Sequence, residues 1–245
     1  MVHARSRLRV RPWLTLAVLS VVALAPTLTG AQARAGALSV MPVKVQIAPG
    51  KQFCSLTIGN DAPEEVTVQL RGYRWTQGPD GEDILDPEPQ LAINPAIVSI
   101  APGERKLVRC SAPGGDNLPE TTYRILVDEL PRAAPKAGVL QTLLQISIPV
   151  FRSQADARPQ IVWSADRDGC VMLINRGTAH GRLASVMLRT AQSGAQPATN
   201  GFYLLAGSAR MVAPCGPAGE TVAGVEATLV DGAVVQLEQH PMAGQ

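Results

Sequence analysis

Aromatic residues are scarce in this chain: three Trp, three Tyr and three Phe make up 4% of its 245 residues. A carbohydrate platform, which needs several flat apolar faces on one surface, has little to be built from. Histidine is equally sparse, and only His180 and His240 lie beyond the first 33 residues. CxxC spacing, an HExxH helix, a GxSxG elbow and a phosphate-cradling glycine loop before a helix are all missing. Catalysis would rest on carboxylates alone, yet Asp128-Glu129 and Glu64-Glu65 are chain neighbours, and neighbours on a strand point to opposite faces. No catalytic residue, metal or cofactor is therefore expected, and His180, after Gly177-Thr178-Ala179, reads as a solvated loop histidine. No Lys/Arg run offers nucleic acid a counterion-releasing surface. No window carries a capped 3.6-residue stripe, so a helical bundle is excluded.

What the chain does have begins at its N-terminus. Arg5, Arg7, Arg9 and Arg11 precede a 13-residue apolar run, Trp13 to Ala25, and Pro26 to Gly30 leads into the small-x-small site Ala31-Gln32-Ala33. This is the layout of a secretory signal peptide over residues 1–33, with Arg34 or Gly36 as the mature start. A membrane anchor needs about 20 apolar residues, and Pro26 ends the run too early. No later run is long enough either, so a soluble exported product without membrane insertion is expected. Loss of residues 1–33 removes 4 of 22 basic residues and none of 20 acidic ones, leaving 18 against 20 and a net charge of −2.

The 20 prolines and 22 glycines punctuate short alternating segments, the pattern of strands. Strands are expected over 39–48, 53–59, 65–76, 92–100, 105–111, 122–130 and 139–152. They are separated by turns such as Ala48-Pro49-Gly50, Asn60-Asp61-Ala62-Pro63 and Ala101-Pro102-Gly103. Seven strands in about 115 residues describe an immunoglobulin-like sandwich over 34–152. A polar linker, 153–158, leads to a second, smaller sandwich over 159–245. Its strands are expected over 160–164, 170–175, 182–190, 202–205, 208–213, 221–229 and 233–238, with a weakly apolar stretch at 191–200. The fold class is all-β, with two immunoglobulin-like domains set at an angle around a cleft.

Four cysteines in an exported chain invite pairing. Cys54 starts the second strand and Cys110 ends the fifth; Cys170 and Cys215 hold similar places in the second domain. Antiparallel second and fifth strands would bring Cys54 to Cys110 and Cys170 to Cys215. Four buried free thiols are the alternative.

The run Tyr123 to Pro131, the loop Arg132 to Gly138 and the run Val139 to Phe151 together resemble the sixth and seventh strands of periplasmic pilus chaperones of the chaperone-usher pathway. Leu38 to Gly50, Leu56 to Asp61 and Ile100 to Arg109 agree with that family, and the details look most like its archaic, spore-coat-like branch. The resemblance implies a periplasmic binding protein, not an enzyme, with pilin subunits and an outer-membrane usher as partners. Its last first-domain strand would complete an unfinished pilin sandwich. Leu140, Thr142, Leu144, Ile146 and Ile148 would face the subunit, while Leu143 and Phe151, of opposite parity, serve the chain's own core. The alternative use of the even set is that own core. Relatives anchor the subunit's terminal carboxylate with basic residues, one of them on the last strand, where Pro149 stands here. Lys44, Arg124 and Arg152 are the substitutes, in that order. A structural subunit of a surface fibre is the competing reading, although such subunits usually have one domain and donate from the extreme N-terminus.

Overall fold

A computed structural model describes residues 38–112, 120–131, 141–165, 170–190, 194–213 and 222–240. Among them every helical or extended element is a strand, and no helix is long and apolar enough to cross a membrane. The first ten strands are β1 (Leu38–Met41), β2 (Val45–Ile47), β3 (Phe53–Asn60), β4 (Val66–Gln77), β5 (Asp83–Pro87), β6 (Ala92–Asn94), β7 (Ile97–Ile100), β8 (Arg105–Ser111), β9 (Thr121–Glu129) and β10 (Gln145–Arg152). They form two sheets, one ordered β1-β3-β8-β6 and the other β2-β10-β9-β4-β5 with β7 on β4. Alternation sends Leu56, Ile58 and Val108 of one sheet against Val68, Leu70, Ile125, Val127, Ile148 and Val150 of the other, and these form one core.

Two expected strands are each divided between the sheets. The segment 39–48 breaks at Pro42, so β1 pairs with β3 while β2 pairs in parallel with β10. The segment 92–100 breaks at Pro95, so β6 pairs with β8 and β7 with β4. A proline cannot donate to a ladder, and pairing stops where one enters. Strand β5 was not expected, because its charged Asp83 and Asp86 and exposed positions hide any alternation. The segment expected over 139–152 is a strand only from Gln145; 141–144 is described and is not extended pairing.

The two Ala-Pro-Gly turns have the backbone their residues ask for. Gly50 and Gly103 both take φ +72°, the third place of a type II turn. The closing bonds run from Lys51 N to Ala48 O and from Glu104 N to Ala101 O, each 3.0 Å.

The remaining strands are β11 (Ile161–Ala165), β12 (Val171–Asn175), β13 (Gly181–Thr190), β14 (Gly194–Leu204), β15 (Ala209–Ala213), β16 (Val222–Leu229) and β17 (Val234–Gln239). Their order is β14-β13-β16-β17-β11-β12-β15, around a core of Trp163, Val171, Leu173, Leu183, Val186, Leu204 and Val225. The stretch expected to be weak is in fact the start of an 11-residue edge strand, β14, with Gly194 to Pro197 exposed. An edge that holds Pro197 and few apolar groups resists pairing with other chains.

Each sandwich contains one wholly buried asparagine where its second long strand ends. Asn60 donates to Glu64 O and Ile100 O and accepts from Ala62 N. Asn175 donates to Ala179 O and Leu204 O and accepts from Gln160 N and Gly177 N. Both side chains use donor and acceptor ends, as burial demands. Cys54 and Cys110 lie opposite each other in the β3–β8 ladder and are disulfide-bonded, Cα–Cα 4.8 Å. Cys170 is also disulfide-bonded; Cys215 lies outside the described residues.

Candidate functional site

Strand β10 is paired on one side with β9 along its whole length, Gln145 with Asp128 through Arg152 with Thr121. On its other side β2 covers only Val150 to Arg152. Among the described residues, 145–148 therefore form an open edge. The Glu129 N–H donates to Leu144 O at 2.8 Å. The antiparallel alternation then directs the backbone groups of residues 144, 146 and 148 toward β9, and those of 145, 147 and 149 outward. Gln145 and Ser147 each offer an N–H and a C=O to the edge, whereas Pro149 is buried and its C=O faces β2 where Val45 pairs beside Val150. That is the position at which a strand proline loses nothing, since its missing N–H would face outward.

The side chains of β10 correct the expected division of labour. Ile148 is 2% exposed and belongs to the first core, and Ile146 packs against that core. The even face thus serves the chain's own interior at this end. Leu143, expected inside, is 41% exposed. Phe151 is buried, but in a separate cluster with Trp75 and Leu205 where the two sandwiches meet. Leu144 is half-buried and Thr142 exposed; Leu140 lies outside the described residues. The period of two gave the alternation correctly and could not say which parity the core would take.

The outer face of the same sheet brings a cation to this edge. Arg124 of β9 stands directly across the ladder from Pro149. Its guanidinium lies over the Trp75 ring, 3.7 Å from the centroid, and 5.8 Å from that of Tyr203. Asp83 of β5 approaches it at 3.4 Å. Burial lowers its pKa, and Asp83 and Tyr203 oppose that shift; an arginine stays charged through such an effect. Its side chain is 14% exposed. Lys44 is exposed just before β2. Arg152 is buried, with Nε donating to Lys51 O at 3.3 Å. Of the three basic candidates, Arg124 alone combines a position on the outer face beside the open edge with an aromatic seat.

His180 is not a solvated loop residue. Its side chain is 11% exposed, and its ring stacks on Phe151 at 3.5 Å with planes 11° apart. Nδ1 lies 2.8 Å from Glu120 Oε1. Sequence reasoning missed Glu120 altogether, because a lone glutamate after a Pro-Gly-rich stretch carries no periodic or motif signal.

Residues 37–155 match the family model of the N-terminal domain of pili and flagellar-assembly chaperones. The chain belongs to the pilus-assembly chaperones of the chaperone-usher pathway. Among solved structures it is similar to the chaperone–tip subunit pre-assembly complex of the archaic Csu pili of Acinetobacter baumannii. There the identity is 20% and the TM-score 0.65, over 83% of this chain and 99% of that one. The E. coli chaperone DraB matches at 17% identity and TM-score 0.58, over 84% and 97%. The Salmonella enterica SafA pilin in complex with the SafB chaperone matches at 14% and 0.59, over 83% and 95%. At these identities the solved structures speak for the fold. No curated protein sequence matches significantly. For a chaperone of this family, an open strand edge beside a seated arginine is the feature of greatest functional interest.

Proposed function

We propose that this chaperone acts in the periplasm without catalysis, holds pilin subunits by lending them the open edge of β10, and passes them to an outer-membrane usher. The observation that carries the reading is the edge itself. Among the described residues, Gln145 and Ser147 have no pairing for their outward backbone groups, on a strand whose neighbour β2 stops short. An extended segment of a partner can add there, with main-chain hydrogen bonds giving affinity and alternate side chains giving specificity.

The donor set is narrower than the sequence implied. Ile148 is committed to the chain's own core, so Ile146, Leu144 and Thr142 carry the same face outward toward a subunit, with Leu140 before them. The two interiors would then be continuous along one strand. Arg124 is the favoured anchor for a subunit's terminal carboxylate. A guanidinium held on an indole face is pre-organised for a two-oxygen acceptor, and among the described residues its carboxylate partner, Asp83, holds it through one long contact of 3.4 Å that a subunit carboxylate can share or displace.

Co-expression in the periplasm with a candidate pilin, followed by affinity capture of the chaperone, tests this reading. The expected result is a one-to-one complex with a pilin that aggregates or is degraded when expressed alone. A pilin equally stable without the chaperone, and never captured by it, would overturn the proposal.

A further inference from the structure

Ten large apolar side chains among the described residues are exposed, and four of them gather on one side of the first sandwich. In the β1-β3-β8-β6 sheet, alternation turns Val40, Leu56, Ile58 and Val108 inward, which leaves Met41, Phe53 and Leu107 on the outer face. The register spaces them apart. Met41 pairs with Thr57 and Thr57 with Leu107, while Phe53 stands at the end of β3 opposite Ser111. Met41, Phe53 and Leu107 are 62%, 77% and 52% exposed, and Val43, just past Met41, is 70% exposed.

The same face is basic. Arg105 and Arg109 flank Leu107 on β8 with the same outward parity, and both are exposed. Lys44, after Val43, and Lys51, before Phe53, are exposed too. The four strands hold no Asp or Glu. Among the described residues none of these four cations has a carboxylate partner, whereas Lys106, of opposite parity, pairs with Glu104. On the outer face of the opposite sheet Arg71 and Arg124 are paired with Asp128 and Asp83. The excess of positive charge is local, because residues 34–245 carry 18 basic against 20 acidic side chains.

We propose that this face rests on an anionic lipid surface, with Phe53, Met41, Val43 and Leu107 dipping between headgroups and the four cations meeting lipid phosphates. Charge complementarity selects an anionic occupant, and the spacing selects a fluid one. Threonine, serines and arginines separate the apolar groups, so the face lacks the contiguous desolvated centre on which a folded protein partner would rest. A bilayer adapts to scattered apolar groups, and long basic side chains reach its phosphates from their own stems. A second copy of the face would set like charges against each other. The face lies on the sheet opposite β10, so its occupation leaves the open edge and Arg124 free. The inference stands apart from subunit capture.

The test is flotation with vesicles of phosphatidylethanolamine and phosphatidylglycerol in equal parts, against vesicles of phosphatidylcholine alone. It uses the chain recovered from the periplasm, its N-terminus checked by mass spectrometry so that residues 1–33 contribute nothing. The wild type should float with the first vesicles and not the second, and added salt should release it. Arg105→Gln combined with Arg109→Gln should weaken binding by roughly twenty-fold, about fivefold for each charge. Phe53→Ser should weaken it by about tenfold. Arg71→Gln combined with Arg189→Gln removes the same charge elsewhere and should weaken it by less than about twofold. Vesicles should also shield Lys44 and Lys51 from a lysine-specific protease.

Failure to float, equal flotation with phosphatidylcholine, or an equal loss in the charge-matched pair overturns the proposal. A dimer that forms without vesicles and is dissolved by Phe53→Ser overturns it as well, by assigning the face to a second copy. Binding of polyglutamate without flotation would assign it to an acidic protein. If Phe53→Ser or the arginine pair does not fold, Leu107→Ser and Met41→Ser decide, and wild-type flotation in both overturns the proposal. Should the wild type capture no pilin, the proposed function fails while flotation still reports on this face.

Discussion

Replacing Leu144 with Asp separates lending a strand from filling a core. Leu144 is half-buried in the free chain. Full burial of a leucine is worth about 1.5–3 kcal/mol, so its removal here should cost about 1 kcal/mol. The new carboxylate stays in water, near the Glu129 carboxylate whose Oε2 lies 3.3 Å from Leu144 N, and the repulsion adds a few tenths. A domain with about 5–15 kcal/mol of stability survives that. In a complex the same carboxylate would sit dehydrated inside the subunit, at a cost of about 2–5 kcal/mol. That corresponds to roughly thirty-fold to a few thousand-fold weaker capture. Ile148, two steps along the same face, is the contrast. At 2% exposed in the first core, Ile148→Asp loses its full apolar burial and buries an unpaired charge, and the protein should not fold. The assay is a circular-dichroism melt beside pilin capture from the periplasm, with Leu144→Asn as a neutral control for Glu129. A Leu144→Asp protein that is unfolded like Ile148→Asp would assign Leu144 to the core. One that melts near wild type and still captures pilin would remove the even face from the interface.

Ser147→Pro deletes an N–H that faces the open edge, so the melt should stay near wild type while capture falls; the same change at Ile146, whose N–H faces β9, should destabilise by about 3 kcal/mol or more. Equal effects at the two positions, read by the same melts, would refute the backbone alternation inferred for β10. Arg124→Ala should weaken capture of a pilin with a free terminal carboxylate by about tenfold or more and leave a pilin amidated at its C-terminus little affected, measured by titration calorimetry. Asn175→Ala removes an amide used at both ends and leaves buried backbone groups unpaired, so denaturant unfolding should show a loss of about 2–3 kcal/mol, with pilin affinity per folded molecule unchanged. A loss below 1 kcal/mol would mean that water takes over its role.

The sequence made the strand content legible because alternation and turn chemistry are local. Ala48-Pro49-Gly50 and Ala101-Pro102-Gly103 specify their turns within four residues, and the structure has them. Sheet membership is not local. Pro42 and Pro95 announce that pairing stops, yet whether the chain resumes in the same sheet depends on partners far away in sequence, so two crossings went unread. β5 was missed because it pairs with the end of β4 while exposing most of its side chains. The parity of β10 failed for a related reason: either face of an alternating strand can be the inner one until its neighbours are placed. Glu120 and His180 are 60 residues apart, and neither has a motif around it; only the folded junction makes them a pair.

The two halves of β10 follow from a single difference, the length of its neighbour. From Val150 to Arg152 the strand has β2 on one side and β9 on the other, and there Val150 is sealed in the core. From Gln145 to Ile148 the alternation of side chains continues, but β2 is gone. The same residue pattern then meets a free edge and, beyond Ile148, a progressively less covered face. An edge of this kind is normally blunted by charge, a bulge or brevity. Pro149 blunts a single donor position, and the other outward groups, on Gln145 and Ser147, remain available. A strand that is finished at one end and unfinished at the other can add a partner without giving up its own fold. Folding of the chaperone and completion of a subunit thereby become separable events on eight consecutive residues.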